Sequence, residues 1–182
     1  MRIEARLDPT QLNDTLGFLL ALPGEINLAK TRTLRKTVKW AGTQLARKLA
    51  TENNMPVSIF KTGVNNRAGF RVRTNTIKNG GTFGQVWTGF KQVKAAYIGK
   101  PTQKKTGASA GRRRTYKGAF VATMKSGHTG IYERIGKSAL PIREITEEVK
   151  TVSTDEIGNQ VQPELYKQMN AELNYILRVR RS

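Results

Sequence analysis

The sequence predicts an α+β fold: a small mixed or antiparallel β-sheet packed by a long N-terminal helix and a C-terminal helix, with a long basic loop. Three stretches, two of them long, place apolar residues at helical spacing, while several shorter ones alternate with the period of two of a half-buried strand. Between them, residues 99–117 turn polar, glycine-bearing and basic, with almost nothing to bury. Only 37% of the 182 residues are hydrophobic, against a usual ~45–50%. That composition predicts one domain, 1–182, with a modest core and a surplus of surface.

In chain order, Ile3, Ala5 and Leu7 alternate with Arg2, Glu4 and Arg6, as in a short strand. Asp8-Pro9 reads as a helix start, and Leu12, Leu16, Leu19 and Leu20 form the stripe of a short helix ending at Leu22-Pro23-Gly24. A long helix follows from about Ile26 to Asn53. Leu34, Val38, Ala41, Leu45 and Leu49 fall within roughly 80° of one another on a helical projection, with Arg32, Arg35, Lys36, Lys39 and Arg47 opposite. Asn53-Asn-Met-Pro56 stops this helix, and Val57–Thr62 fits a single helical turn. Strands are predicted at 68–74 and 82–90, joined through Asn79-Gly80-Gly81. Arg67, Arg71 and Arg73 lie among aromatic residues there, a pattern of single-strand nucleic-acid platforms and also of plain sheet core with a basic solvent side.

The 99–117 stretch is predicted to be an extended basic loop. Beyond it, Phe120 to Met124 and Ile131 to Ile135 alternate around a Ser126–Gly130 turn, the signal of a β-hairpin with Phe120, Met124, Ile131 and Ile135 as core positions. Ile142–Val149 is a further strand, Thr151–Gly158 a polar linker, and 158–182 a C-terminal helix striped by Leu165, Met169, Leu173 and Ile176.

Charge narrows the partners. There are 32 Lys and Arg against 13 Asp and Glu, a formal net charge of +19. Residues 53–132 hold 15 of those cations and no carboxylate, whereas the last 50 residues hold 8 of each sign. A middle so cationic points to a polyanion, whether nucleic acid, an acidic protein or an anionic surface. The loop cations Lys104, Lys105, Arg112, Arg113, Arg114 and Lys117 are the candidate contacts, with phosphate the simplest ligand and a solvated loop the plain alternative. Arg32, Arg35, Lys36 and Lys39 form a second basic face, read equally as the wet side of a core helix.

Other classes lose ground. With no cysteine, disulfides and Cys-based zinc sites are excluded. No apolar run approaches the ~20 residues that span a bilayer, and the N-terminus lacks a signal-peptide pattern, so a soluble intracellular protein is expected. Catalysis needs a nucleophile with a base, a carboxylate pair or a metal cluster. The single histidine, His128, sits in a glycine-rich turn, and no phosphate-loop pattern occurs. Glu144, Glu147 and Glu148 offer oxygen ligands for Mg²⁺, but solvated or salt-bridged carboxylates are the simpler reading. A non-enzyme without cofactor or metal is expected.

The residues from 118 to 145 add a resemblance. Gly118-Ala119-Phe120, Gly127, Arg134, Gly136, Lys137 and Pro141-Ile142 stand where the phage minor tail protein Z family has a strand start, a glycine turn, a returning strand ending in Arg, and a basic break before Pro-Ile. The long helix, the basic stretch before Gly118 and the C-terminal helix resemble that family in layout. The resemblance implies a structural virion component, assembled in the host cytoplasm, that completes the head-proximal end of a long tail and takes part in head–tail joining. It further implies a ring of this chain with itself, six-fold like the tail tube, next to neighbouring tail and head–tail connector proteins. A basic loop would face the channel with its double-stranded DNA, or the adjacent ring, and no membrane is involved. The rival from another class is a free, sequence-independent nucleic-acid-binding protein, which the charge alone also fits. A membrane-surface protein ranks last, because no strongly apolar amphipathic face accompanies the cations.

Overall fold

A computed structural model describes residues 2–6, 23–61, 69–76, 82–89, 92–112 and 114–181. Among them are four helices: α1 (Pro23–Glu52), α2 (Val57–Phe60), α3 (Ala95–Ile98) and α4 (Asp155–Arg181). Eleven strands accompany them: β1 (Arg2–Arg6), β2 (Gly69–Thr76), β3 (Thr82–Gly89), β4 (Val93–Lys94), β5 (Pro101–Lys104), β6 (Gly107–Ala110), β7 (Arg114–Lys117), β8 (Phe120–Thr123), β9 (Thr129–Arg134), β10 (Ile142–Glu144) and β11 (Thr146–Glu147). The fold is α+β, with the long N-terminal and C-terminal helices expected. The strands form four small sheets rather than one, ordered β1-β3-β2, β5-β6-β7, β10-β9-β8 and β11-β4. The short helix expected before Pro23, the Asn79–Gly81 turn and Arg67 lie outside the described residues.

The chain divides into two compact units, Met1–Leu45 with Phe70–Thr88 and Ser153–Ser182, and Ala46–Gly69 with Gly89–Val152. In the first, the predicted apolar face of α1 is buried: Leu34, Val38, Ala41 and Leu45 are sealed, and so are Val86 of β3 and Ile157, Val161, Leu165, Met169 and Leu173 of α4. The basic residues opposite are exposed. Gly84 of β3 is a point of close approach, since a Cβ there would run into the Val38 side chain. Thr33 and Thr37 are buried on α1, and Thr33 Oγ1 donates to Met169 Sδ at 3.5 Å. Helix α1 begins at Pro23-Gly24, which reads as a breaker in the sequence. Proline suits the first helical turn because its missing N–H would have no partner there.

Helix α4 begins at Asp155, earlier than the Gly158 start predicted. Asp155 and Glu156 supply negative charge to the first turn, and Ser153 Oγ accepts from the Asp155 amide at 3.3 Å. Gly158 is thus absorbed into a helix already started, its amide donating to Thr154 O at 2.8 Å.

The second unit starts from the end of α1. Asn54 adopts a left-handed φ of 47°, and the Met55 amide donates back to Ala50 O at 2.9 Å, closing the helix with a reversed turn. Buried Asn53 then acts as a clamp. Its Nδ2 donates to Leu49 O at 2.9 Å and Lys150 O at 3.1 Å, and its Oδ1 accepts from the Lys150 amide at 2.7 Å. Met55, Ile59, Phe60, Val93, Ala95, Ile98, Ala108, Ala110, Ile131 and Tyr132 are buried in this unit.

Residues 99–117 are not a structureless loop. They form the antiparallel sheet β5-β6-β7, with Thr102↔Ser109↔Thr115 and Lys104↔Gly107↔Lys117 in register. The central strand, Gly107-Ala-Ser-Ala110, is buried along its whole length. Smallness is what the sheet requires here: a Cβ on Gly99 would stand 2.7 Å from the Ala110 carbonyl. A strand made of glycine, alanine and serine carries no hydrophobic periodicity, so its sequence reads as loop. The hairpin β8–β9 forms as predicted, paired from Phe120↔Tyr132 to Thr123↔Thr129. Of its proposed core residues Ile131 is sealed, Phe120 and Met124 are half-buried, and Ile135 is 52% exposed. Ile135 lies one residue past the end of β9, where the chain leaves the ladder.

Candidate polyanion-contact surface

The β5-β6-β7 sheet sorts the predicted loop cations by position. Lys104 closes β5, Lys117 closes β7, and both flank Gly107 at one end of the sheet, with Lys105 in the adjoining turn. All three are exposed. At the other end Arg112 lies exposed in the β6–β7 turn and Arg114 opens β7, pairing with Ala110. Arg113 lies outside the described residues.

Arg114 is engaged internally. Its Nε donates to both oxygens of Glu147, at 2.8 and 3.0 Å, and its Nη2 donates to Asn53 O at 3.0 Å. Tyr116, two residues along the same face of β7, donates its hydroxyl to Glu147 at 2.5 Å. Burial first, then the hydrogen bond to Glu147, push the Tyr116 phenol well above its ordinary value. Arg114 and Tyr116 therefore tie β7 to β11.

The second basic face divides in the same way. Glu172 of α4 is buried, and it accepts Lys36 Nζ at 2.5 Å with Arg32 at 3.8 Å. Arg35 and Lys39 stay exposed. Sequence reasoning missed Glu172, although a signal exists. It lies seven residues after Leu165 and three after Met169, on the axis of the apolar stripe, where a carboxylate requires a partner.

A third cluster holds the hairpin turn. Glu144 of β10 meets Lys94 Nζ at 2.5 Å and His128 Nε2 at 2.7 Å. Burial pushes its carboxyl up, but the hydrogen bonds and charges of Lys94 and His128 outweigh burial and hold it below the usual carboxylate range. Burial and the Glu144 charge push the neighbouring Tyr132 phenol up, against Lys94. Gly130 makes room for this cluster, since a Cβ there would stand 2.9 Å from Glu144 Oε1 and from the Tyr132 ring. Glu144 and Glu147 are thus both committed to internal cations, and Glu148 is exposed. Among the described residues no group of three or more His, Asp or Glu side chains is arranged to hold a metal ion.

The motif residues occupy turns and strand ends. Gly118, Gly127 and Gly136 have φ of 69°, 79° and 96°, the left-handed region that favours glycine. Ala119 is buried, and Phe120 stacks at 6.2 Å from the Tyr132 ring with the Arg134 guanidinium 5.7 Å over its face. Pro141 follows a cis peptide bond, its carbonyl accepts from the Ile135 amide at 2.9 Å, and Ile142 pairs with Arg134. Lys137 is exposed in the loop between them.

Residues 21–181 match the model of the family described as prophage minor tail protein Z (GPZ). No curated protein and no solved structure matches the chain significantly. Among the described residues no helix is long and apolar enough to cross a membrane.

Proposed function

We propose a tail-completion role for this chain, which belongs to the prophage minor tail protein Z family and is therefore a structural protein of a phage tail and a component of the virion. In this reading the whole chain, 1–182, acts as one non-catalytic tail-completion module at the head-proximal end. Copies of it associate in a ring, six-fold like the tail tube, beside other tail proteins and the head–tail connector. Its basic strands 101–117 face a polyanion, either the DNA of the channel or an acidic neighbour. The observation that carries the reading is the family match across nearly the whole chain, and the charge adds to it. Lys104, Lys105, Arg112 and Lys117 are exposed cations without a carboxylate partner among the described residues. A low hydrophobic fraction also suits a subunit stabilised in part by its neighbours.

The test is complementation of a phage lacking this protein. Replacing Lys104, Lys105, Arg112 and Lys117 by Gln, with Arg114 left intact, should give a folded protein and at least a tenfold fall in joined, infectious particles. Unjoined tails and filled heads should accumulate. Parental titres from this variant would refute a role for the basic strands in joining. A monomer that binds free DNA yet never attaches to tails would instead identify a free nucleic-acid-binding protein.

A further inference from the structure

We infer that the β5-β6-β7 sheet presents a phosphate-binding face for duplex nucleic acid, built on the cross-strand rows Lys104–Gly107–Lys117 and Thr102–Ser109–Thr115. The inference rests on the reading that the basic strands meet a polyanion, and it names that polyanion. Residues directly opposite in neighbouring antiparallel strands project to the same side of a sheet. Both rows therefore share one face, and Ala108, Ala110, Arg114 and Tyr116 share the other. That other face is turned inward, with Ala108 and Ala110 sealed and Arg114 and Tyr116 held by Glu147.

The outward rows are chemically uniform. Lys104, Lys117, Thr102 and Thr115 are exposed, while the central Gly107 and Ser109 are small and buried. The two lysines stand two strand spacings apart, roughly 10 Å, with no side chain between them. A Cβ on Gly107 would run into the Tyr116 carbonyl, and its φ of 155° disfavours other residues, so this gap is built into the backbone. Lys105 adds a third cation at the hairpin tip. None of the three lysines meets a carboxylate among the described residues.

The composition of the face selects the partner. Protein interfaces centre on aromatic, aliphatic or arginine anchors seated in pockets. The side chains this face presents are those of lysine and threonine, Ser109 being sealed beneath them, and it lacks an anchor for an acidic protein. Phosphodiester contact needs nothing beyond cations and hydroxyl donors, whereas single-strand binders add aromatic side chains on which bases stack, and neither row holds one. Amide and guanidinium forks, the side chains that fix base identity most strongly, are absent from both outward rows, and Arg112 lies at the opposite end of the sheet from Lys104 and Lys117. The nearby amide, Gln103, is consumed: its Nε2 donates to Gly107 O at 2.8 Å and its Oε1 accepts from the Val121 amide at 2.8 Å. Binding is therefore independent of base sequence.

The experiment measures binding of the full chain to a fluorescent mixed-sequence duplex by anisotropy across a salt series. The parent should bind, with log affinity falling linearly in log salt. The triple variant Lys104→Gln, Lys105→Gln, Lys117→Gln should lower that slope by about 2 to 3, at about 0.9 for each phosphate no longer neutralised. Changing the duplex sequence should leave affinity within twofold. The helix variant Arg35→Gln, Lys39→Gln should keep the parental slope, and circular dichroism should show both variants folded. An unchanged slope in the triple variant, no binding by the parent, or displacement of duplex by polyglutamate at lower charge concentration than by unlabelled duplex would overturn the assignment. The complementation assay separates the two claims. Impaired joining with unchanged duplex binding overturns the phosphate face alone, and abolished duplex binding with normal joining overturns the role of the basic strands alone.

Discussion

Replacing Gly84 by Ala tests how α1 is laid on β3. A Cβ at position 84 would overlap Val38 Cγ2, with Val38 Cβ at 3.5 Å and Leu34 Cδ2 at 3.9 Å. Val38 and Leu34 are both sealed, so neither has free space to retreat into. The backbone at Gly84 is not in the left-handed region. In open surroundings, then, alanine would stabilise the strand by about 0.5–1 kcal/mol through the entropy of the unfolded chain. Overpacking a filled core costs about 1–3 kcal/mol, so the overlap reverses the sign and a net loss of about 1–2 kcal/mol is expected. Both tryptophans, Trp40 and Trp87, belong to this unit, so their fluorescence during urea unfolding reports on it. With a slope of about 1–3 kcal/mol per molar urea, the midpoint should fall by about 1 M. Val38→Ala alone should cost about 2 kcal/mol from reduced burial. In the double variant the methyl group added at position 84 occupies the vacated volume. That variant should therefore be less destabilised than the sum of the singles by about 1 kcal/mol or more. A stabilising or neutral Gly84→Ala, or strict additivity, would refute the close approach.

Two further outcomes follow from the second unit. Glu144 titrates below the usual carboxylate range, so the stability it contributes is complete above the unfolded-state value of about 4.3 and is lost as pH falls through its lower folded-state value. Unfolding midpoints taken from pH 7 downward should fall in that acid window, and Glu144→Gln should flatten the fall; a parental acid profile in the variant would contradict the Lys94–Glu144–His128 cluster. Asn53→Ala removes three hydrogen bonds and leaves the Lys150 amide and carbonyl without their partner, at a cost of about 1–3 kcal/mol. Hydrogen exchange at the Lys150 amide should accelerate markedly, and a parental exchange rate in the variant would contradict the clamp.

Much of the fold was legible because periodicity is a local property. The sealed face of α1 is the one that Leu34, Val38, Ala41, Leu45 and Leu49 trace on a helical projection, and the hairpin follows from alternation around a glycine turn. Strands β5–β7 escaped notice for a physical reason. Gly107–Ala110 buries only glycine, alanine and serine on both faces, and Thr102, Lys104, Thr115 and Lys117 face outward, so no apolar alternation marks them. Ile135 misled in the opposite direction, being apolar and in phase but beyond the last rung of its ladder. The candidate cations were legible as a set, since composition alone isolates 53–132 as a stretch without carboxylates.

By itself the sequence determined the class of fold, the positions of the long helices and the hairpin, the concentration of positive charge and the family resemblance. Each of these depends on residue identity and spacing along the chain. Tertiary structure decided which cations are available. Arg114 and Lys36 look like any other basic residue in the string, yet each closes on a carboxylate 33 and 136 residues away. Lys104 and Lys117, thirteen positions apart in sequence, become neighbours across one glycine. Ion pairing depends on distances of a few ångströms in space, and only the packing of strands and helices sets those distances.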